Sequence, residues 1–374
     1  MGSNWSFKVV LVLVCSAALQ GAETAEAVFQ KAVSALSSQD YAAAESGFQE
    51  VLRLEPGNVS ALGNLGVVYS RTHRYSQAIA VYKRALRLVP NEKRLLTDLG
   101  LAWLKEENYK AALPIFEKLA ADSSNLQARE LVASCNLSIA RYGAALGILE
   151  PLAREEPENP GVLYMLGIAY TRVKRSGDAQ NAFARMMSAA SPAQASFLMG
   201  KASYETERFE AAAEYFRKAL AADPALEGGH RELGKALISL HDDEHAEKEL
   251  RLAGPDDPEA LYFLGGMLAS ARPADAIAPL QQALRMTPDF WGPLYYLGRI
   301  YVDQNRIPDA LPLLERAARL KPDEAAVQYQ LGRALQKAGR QSEAKAAYAK
   351  VRELKSRSLD KEVNILSPAA PPSR

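Results

Sequence analysis

The sequence of 374 residues has little of what several classes of protein need. It contains two cysteines, Cys15 and Cys135, and four histidines, too few for a disulfide framework or for histidine-rich metal sites. Its 45 basic side chains are balanced by 44 acidic ones, a net charge of +1. Dedicated nucleic-acid-binding domains are usually clearly basic, so this balance argues against one. The sequence also lacks a run of about 20 apolar residues, the length that a full transmembrane helix requires.

What is present resembles an ordinary globular composition. Apolar residues make up 48% of the chain and charged residues 24%, which argues against a disordered protein. Length alone would suggest about two or three domains of ordinary size.

Residues 1–22 have the pattern of a signal peptide. They contain one ionisable side chain, Lys8, followed by the apolar run Val9–Leu19 of 11 residues. This run is too short to span a bilayer but is typical of the apolar core of an export signal, and Gly21 and Ala22 are small enough for a cleavage site. We therefore expect an exported protein, periplasmic or secreted. Membrane association would come only through an uncleaved signal.

Two other interpretations use the same residues. Met1–Ser6 fits the myristoylation pattern, although the apolar run that follows favours export. Cys15 suggests a lipoprotein, but Val14 stands before it, where lipoprotein signals have Gly, Ala or Ser. Cleavage of the signal would remove Cys15 and leave Cys135 alone, without a disulfide partner.

The rest of the chain repeats with a period of 34 residues. The spacing of Leu62-Leu65-Gly66-Tyr69-Tyr75-Ala78-Tyr82-Ala85-Pro90 is identical to that of Leu294-Leu297-Gly298-Tyr301-Ile307-Ala310-Leu314-Ala317-Pro322. Prolines mark the ends of most units: Pro56, Pro90, Pro157, Pro224, Pro258, Pro288 and Pro322. Nine units from about Ala25, and a tenth from Ala325, fill residues 25–358.

Each unit has the pattern of two packed helices. Positions 4, 7, 8 and 11 lie on one helical face, and most units have glycine at position 8: Gly66, Gly100, Gly167, Gly200, Gly234, Gly265, Gly298 and Gly332. The glycine lets a second helix approach closely, with a small residue such as Ala310 and a large one such as Leu314 on its facing side. A proline ends the second helix. Such a pair cannot bury its apolar face alone, so the units must stack.

This pattern resembles the tetratricopeptide repeat, a helix–turn–helix unit with W-x₂-L-G-x₂-Y, then A-x₃-F, then proline. The resemblance covers residues 25–358, nearly all of the chain after the signal. It implies an all-α fold, a right-handed α-solenoid superhelix of about ten units.

Several units depart from the pattern. The unit that starts near Leu126 has Ala133 in place of the glycine and Asn136 in place of the usual aromatic residue. Another unit ends early at Gly254-Pro255, and the next is one residue short around Arg272-Pro273. We expect bends near 190 and 256. Residues 359–374, rich in proline and small residues at their end, are predicted to form a disordered tail.

One motif suggests catalysis. His241-Asp242-Asp243-Glu244-His245 fits H-x-x-E-H, a zinc peptidase signature. That chemistry needs both histidines on one continuous helix and a third protein ligand. The repeat register places the turn between the two helices inside the motif, so a solvated polar turn is the favoured interpretation. Phosphate-binding loops and serine-hydrolase motifs are absent from the sequence. We therefore predict no enzyme activity, no cofactor and no metal.

The functional prediction concerns a surface. In proteins that this sequence resembles, the first helix of each unit lines the concave face, and positions 5 and 9 contact the ligand. From Tyr164 onward these positions and their neighbours are aromatic and basic, whereas before Tyr164 they are mostly small or apolar. The predicted groove consists of Tyr164, Phe197, Lys201, Tyr204, Arg231, Lys235, Tyr262, Tyr295, Arg299, Tyr329 and Arg333.

These residues predict a scaffold that binds a protein partner, as an extended peptide or a helix, in envelope assembly or secretion. Exposed ion pairs contribute only about 0.2–1 kcal/mol each, so the aromatic rings would supply most of the affinity. The cations would select an acidic or carboxylate-bearing segment. An accessory role in the export or handling of acidic polysaccharide is the alternative. A further interpretation is that the rings pack only against neighbouring units.

Overall fold

The computed structural model describes residues 24–366, with side chains described as far as residue 356. The described residues form twenty α helices and no strand. The helices are α1 (Ala25–Ser37), α2 (Tyr41–Leu54), α3 (Val59–Arg71), α4 (Tyr75–Leu88), α5 (Lys93–Lys105), α6 (Tyr109–Ala120), α7 (Leu126–Ser138), α8 (Tyr142–Glu155), α9 (Pro160–Arg172), α10 (Ser176–Ala189), α11 (Pro192–Glu205), α12 (Phe209–Ala222), α13 (Gly229–Ser239), α14 (Asp243–Leu252), α15 (Pro258–Ala271), α16 (Pro273–Met286), α17 (Trp291–Asp303), α18 (Ile307–Leu320), α19 (Ala325–Lys337) and α20 (Gln341–Leu366).

Each odd-numbered helix pairs with the even-numbered helix that follows it, which gives ten units, numbered 1 to 10 from α1–α2 to α19–α20. The all-α solenoid predicted from the sequence is confirmed. In nine units one residue with positive φ reverses the chain between the two helices: Gln39, His73, Glu107, Ala140, Lys174, Glu207, His241, Asn305 and Gly339. Unit 8 has a single residue, Arg272, between its helices and no positive φ there, which confirms the predicted shortening.

The glycine at position 8 lies against the large side chain at position 24, as predicted. A Cβ atom at Gly66 would lie 2.3 Å from the Tyr82 ring, and one at Gly298 would lie 2.5 Å from Cγ of Leu314. Unit 4 replaces this combination with Ala133 and Leu149, both fully buried. Alanine therefore replaces glycine at position 8 of this unit without exposing either side chain to solvent.

Polar contacts join each unit to the one before it. Arg175 stacks 4.4 Å from the centre of the Tyr170 ring and pairs with Glu150 of the preceding unit at 3.0 Å. The same arginine position pairs with a preceding glutamate in units 2, 8 and 10, through Arg74–Glu45, Arg272–Glu247 and Arg340–Glu315. The same contact between consecutive units therefore recurs in four of the ten units.

The stack curves, and its odd-numbered helices line the inner side. Consecutive odd-numbered helices, such as α15 and α17, pack against each other at every step except α5–α7, whereas no two consecutive even-numbered helices of the described chain do so. Helices on the inside of a curve lie closer together than those on the outside. The inner face is therefore built by the first helix of each unit, as the resemblance implied.

The two ends of the chain lie partly outside this array. The predicted signal peptide, residues 1–22, lies outside the described residues. Helix α20 continues to Leu366, so the first part of the tail predicted for 359–374 lies in a helix, and residues 367–374 lie outside the described residues. Within residues 24–366 no helix is both long and apolar enough to cross a membrane. The bends near 190 and 256 stay predictions.

Candidate functional site

All eleven predicted groove residues lie on odd-numbered helices, from α9 to α19. Ten of them are partly buried, and Tyr329 is exposed at 48% of its surface. The ten partly buried side chains therefore pack against other residues of the array and keep part of their surface accessible to solvent.

The contacts begin between α9 and α11. The Nζ atom of Lys201 lies 5.8 Å from the centre of the Tyr164 ring, and the Tyr164 hydroxyl donates a hydrogen bond of 2.7 Å to Oε1 of Glu205. Burial, together with the negative charge of Glu205, raises the pKa of Tyr164. The tyrosine is therefore a neutral donor at physiological pH, and its ring supports the lysine.

Lys235 connects three successive inner helices. Its Nζ atom lies 5.2 Å from the centre of the Tyr204 ring on α11 and 5.4 Å from that of Phe263 on α15. It also forms a 2.7 Å ion pair with Glu232, which is only 8% exposed. A cation between two ring faces is attracted by their electron-rich surfaces, and the carboxylate balances its charge.

Arg231 is surrounded by carboxylates. It pairs with Asp257 at 2.7 Å, and with Glu232 and Glu259 at 3.3 Å each. The sequence pattern predicts a free groove cation here, but the fold brings acidic residues from the start of unit 8 against the guanidinium. Its positive charge is therefore neutralised within the chain.

Aromatic side chains of α15 and α17 pack reciprocally. The Tyr262 ring lies over Gly292 of α17, where a Cβ atom would come within 2.4 Å, and the Tyr296 ring lies over Gly266 of α15. The two ring centres are 5.9 Å apart, and Phe290 adds a third ring 5.0 Å from Tyr262. Burial raises the pKa of Tyr262 to about 12. Neither Gly266 nor Gly292 is at position 8, where most units have glycine. Each nevertheless faces a tyrosine ring of the neighbouring unit.

The remaining cations of units 9 and 10 differ from each other. Arg299 lies 5.1 Å above the Tyr296 ring and donates to Oγ of Ser270 at 3.1 Å. Arg333 pairs with Asp303 at 2.9 Å. Among the described residues no carboxylate lies within ion-pair distance of Lys201 or Arg299. These two cations therefore keep their charge available on the inner face.

The other predicted groove residues are three aromatic side chains. The Tyr295 ring packs 5.0 Å from that of Tyr296, and the Tyr329 ring lies 6.0 Å from that of Tyr348. Phe197 lies 5.7 Å from Phe216 and packs on the apolar core of units 6 and 7. Phe197 therefore serves the core as well as the inner face.

Units 1–4 have a different inner face. Phe29 packs on Phe48 within its own unit, and Gly63 lies against Leu95 of the next inner helix. In the described part of units 1–4, no ring–cation pair connects consecutive odd-numbered helices. Small and aliphatic side chains carry the contacts there.

Curvature also brings distant units together, a contact that no local pattern in the sequence predicts. Glu107, in the turn of unit 3, forms a 3.0 Å ion pair with Lys321, which follows α18 in unit 9. Beside this pair a cavity of about 480 Å³ is lined by two sets of residues. One set is His73, Tyr75, Lys105, Glu106 and Glu107, and the other includes Glu259, Tyr262, Phe263, Thr287, Phe290 and Trp291.

Electrostatic effects cross this gap. Burial, followed by the charge of Glu259, raises the pKa of Tyr75, although the two residues belong to units 2 and 8. Burial and the positive charge of Lys105 lower the pKa of His73. The histidine is therefore neutral at physiological pH, and its Nδ1 lies 2.8 Å from the Tyr75 hydroxyl.

The H-x-x-E-H motif does not form a helical zinc site. His241 lies in the turn with a φ of 57°, whereas His245 lies in α14 and pairs with Asp242 at 2.8 Å. No group of three or more potential metal ligands was found in residues 24–366. Cys135 is buried, and burial raises the pKa of its thiol to about 11, so it is a poor nucleophile.

Stacked helix pairs with a side-chain-lined inner face define a solenoid repeat protein, a class that functions through the surface it presents. The tetratricopeptide repeat model matches residues 29–93, 164–227 and 295–358, about half of the chain. The chain belongs to the tetratricopeptide repeat family. Proteins of this family are generally non-catalytic scaffolds that typically mediate protein–protein interaction. A model for subunit 3 of the anaphase-promoting complex, or cyclosome, matches residues 71–152.

Solved structures give weaker similarities. A crystal structure of MamA shares 23% identity over 43% of this chain and 97% of its own, with a TM-score of 0.38. MamA from Desulfovibrio magneticus RS-1 shares 21% over 44% and 94%, with a TM-score of 0.42. Yeast Tom70 shares 14% over 88% and 92%, with a TM-score of 0.42. No curated protein sequence matched the chain.

Proposed function

We propose that this protein is a non-enzymatic scaffold that holds a segment of a partner protein, extended or helical, against the inner face of units 5–10. The observation that supports it is the series of ring and cation contacts that runs from Tyr164 on α9 to Arg333 on α19. Partly buried tyrosines supply contact area at a small entropic cost, because their orientation is already fixed by packing. Units 1–4 do not provide such a surface.

The cations suggest the chemistry of the bound segment. Lys201 and Arg299 each lie against a ring and have no carboxylate partner among the described residues. A carboxylate of the ligand would meet these two first, whereas Arg231 and Arg333 would have to exchange an existing partner. We therefore propose an acidic or carboxylate-bearing ligand that is recognised at Lys201 and Arg299, with Tyr329 as an exposed aromatic anchor.

We place this function outside the cytoplasm, in envelope assembly or secretion. The support is the signal-like sequence of residues 1–22. Amino-terminal sequencing of the protein from its own cells should begin at Ala22 or Glu23. A protein that still begins at Met1 and stays in the cytosolic fraction would contradict the placement.

Capture of partners tests the binding function. The protein serves as bait in an extract from its own compartment, beside the variant Lys201→Glu/Arg299→Glu. A control, Arg217→Glu/Lys248→Glu, makes the same change in charge at exposed positions on the even-numbered helices α12 and α14. Tyr329→Ala removes the exposed ring without changing charge.

The expected result is a set of proteins retained by the wild type and by the outer-face control, but lost with the inner-face variant. A direct titration with an acidic peptide from a captured protein should show weaker binding for Tyr329→Ala as well. Equal capture by both charge variants would contradict the inner-face assignment. Capture of acidic carbohydrate without protein would indicate that the same face functions in the handling of polysaccharide.

A further inference from the structure

Two turns that are far apart in the sequence contact each other through one ion pair. Glu107 and Lys321 are 214 residues apart, yet their charged atoms lie 3.0 Å from each other. Close packing of helices in the described chain occurs only between helices that are adjacent or next but one. Units 3 and 9 therefore meet through side chains of their turns, without a packed helix interface.

The contact has the properties of a weak and reversible one. Glu107 is 64% exposed and Lys321 33% exposed, so water and salt screen their attraction. Beside them a cavity of about 450 Å³ separates the α5–α6 turn from the segment around Asp289 and Phe290. The boundary between the two sides therefore includes open space beside the ion pair.

We propose that the Glu107–Lys321 ion pair is a salt-sensitive closing contact, which holds units 2–3 against units 8–9 and makes the inner face a closed ring. When the pair breaks, the superhelix opens at this point, since no helix packing in the described chain connects the two sides. Access to the face assigned under the proposed function would then depend on this pair. The closing contact itself exists whether or not that face binds protein.

Other units of the repeat have residues of the opposite charge at the positions of Glu107 and Lys321. Glu107 occupies the positive-φ turn position, where unit 5 has Lys174 with a φ of 62°. Lys321 follows α18 at the position where α2 and α8 are followed by Glu55 and Glu156. The substitutions Glu107→Lys and Lys321→Glu therefore keep residues that the repeat already uses.

Distance measurement across the gap tests the proposal. Spin labels are attached to cysteines introduced at Lys110 and Arg319, which are exposed and line the cavity on opposite sides. The full chain carries Cys15→Ser, and Cys135 is left in place because its buried thiol does not label. Pulsed electron paramagnetic resonance then gives the distribution of distances between the two labels.

We expect one short distance at low salt, which lengthens and broadens in Glu107→Lys because two lysines then face each other. The charge swap Glu107→Lys/Lys321→Glu should restore the short distance. In about 1 M salt, where the Debye length falls to about 3 Å, the wild type should resemble Glu107→Lys. Circular dichroism should show the same helix content for all variants.

A distance that Glu107→Lys leaves unchanged, or that the charge swap fails to restore, would overturn the proposal. The measurement uses no ligand. Failure to capture a partner would therefore disprove the proposed function without affecting the closing contact. An unchanged distance would disprove the closing contact without affecting the proposed function.

Discussion

Units 1–4 and units 5–10 share one packing scheme and differ on the inner face. In both regions glycine or alanine at position 8 lies against a large side chain, as at Gly66–Tyr82 and Gly298–Leu314. Between consecutive inner helices, units 1–4 use contacts such as Gly63 with Leu95, whereas units 5–10 use rings and cations. The positions that hold the repeat together are therefore separate from those that give each region its surface chemistry.

The largest expected effect tests the shared packing. Ala78 and Ala310 are fully buried at the same position of units 2 and 9. Replacing either with phenylalanine should overpack the contact between the two helices and cost about 1–3 kcal/mol. Urea unfolding measures the shift, with Ala42→Phe on the exposed side of α2 as the control. If one site tolerated the ring and the other did not, the two regions would not share a packing scheme.

The second prediction concerns the contact of position 8 with position 24. A Cβ at Gly100 would lie 2.6 Å from the Phe116 ring, whereas unit 4 packs Ala133 on Leu149. Gly100→Ala should destabilise by about 1–3 kcal/mol because the ring must move. The double variant Gly100→Ala/Phe116→Leu should lose less free energy of unfolding than the two single variants together. We expect the difference to be about 0.5 kcal/mol or more.

The control for this cycle is Gly147→Ala. Gly147 lies inside α8, and no neighbouring atom comes within 4 Å of the place that an added methyl group would occupy. Alanine there should stabilise the helix by roughly 0.5–1 kcal/mol. Strict additivity of Gly100→Ala and Phe116→Leu would show that the two positions do not touch.

A third prediction compares two tyrosines at alkaline pH. Burial raises the pKa of Tyr82, between the helices of unit 2, and of Tyr262, on the inner face, to about 12 from an ordinary value of 10.0. The unfolded chain releases these protons first as the pH rises from 10.0 to about 12, so the stability present below pH 10.0 is lost across that window. Tyr82→Phe and Tyr262→Phe should each flatten the fall in melting temperature.

The comparison is sharpest if the two variants are measured together. A curve for Tyr262→Phe that runs parallel to the wild type would mean that the inner-face tyrosine is more open to water than Tyr82. That result would weaken the packed ring cluster of α15 and α17.

The smallest expected effects are those of partly exposed ion pairs. Arg129 pairs with Glu155 at 2.6 Å in unit 4, and Arg333 pairs with Asp303 at 2.9 Å between units 9 and 10. Arg129→Gln and Arg333→Gln should each lower the free energy of unfolding by about 0.2–1 kcal/mol, and less at high salt. A substantially larger loss at Arg333 would show that ion pairs, more than rings, hold the inner face of units 5–10 together.

The sequence predicted the helix pairs, their register and the short turn at Arg272, because each depends on contacts within one or two units. It also placed Tyr164, Lys235 and the other groove positions on inner helices, since position 5 and position 9 have fixed directions on a helix. The charge state of the groove was harder to predict. Pairing of Arg231 with Asp257 and Glu259 depends on how unit 8 packs on unit 7, which the pattern within one unit does not specify.

Local periodicity in the chain is enough to specify the repeat, the class of fold and the difference between the two inner faces. Which cations remain unpaired, and where the superhelix meets itself, depends instead on the assembled stack. The contact between Glu107 and Lys321 results from small rotations added over successive units. The sequence around Glu107 or Lys321 does not reveal the total of these rotations. The contact between residues 214 positions apart therefore cannot be predicted from local sequence.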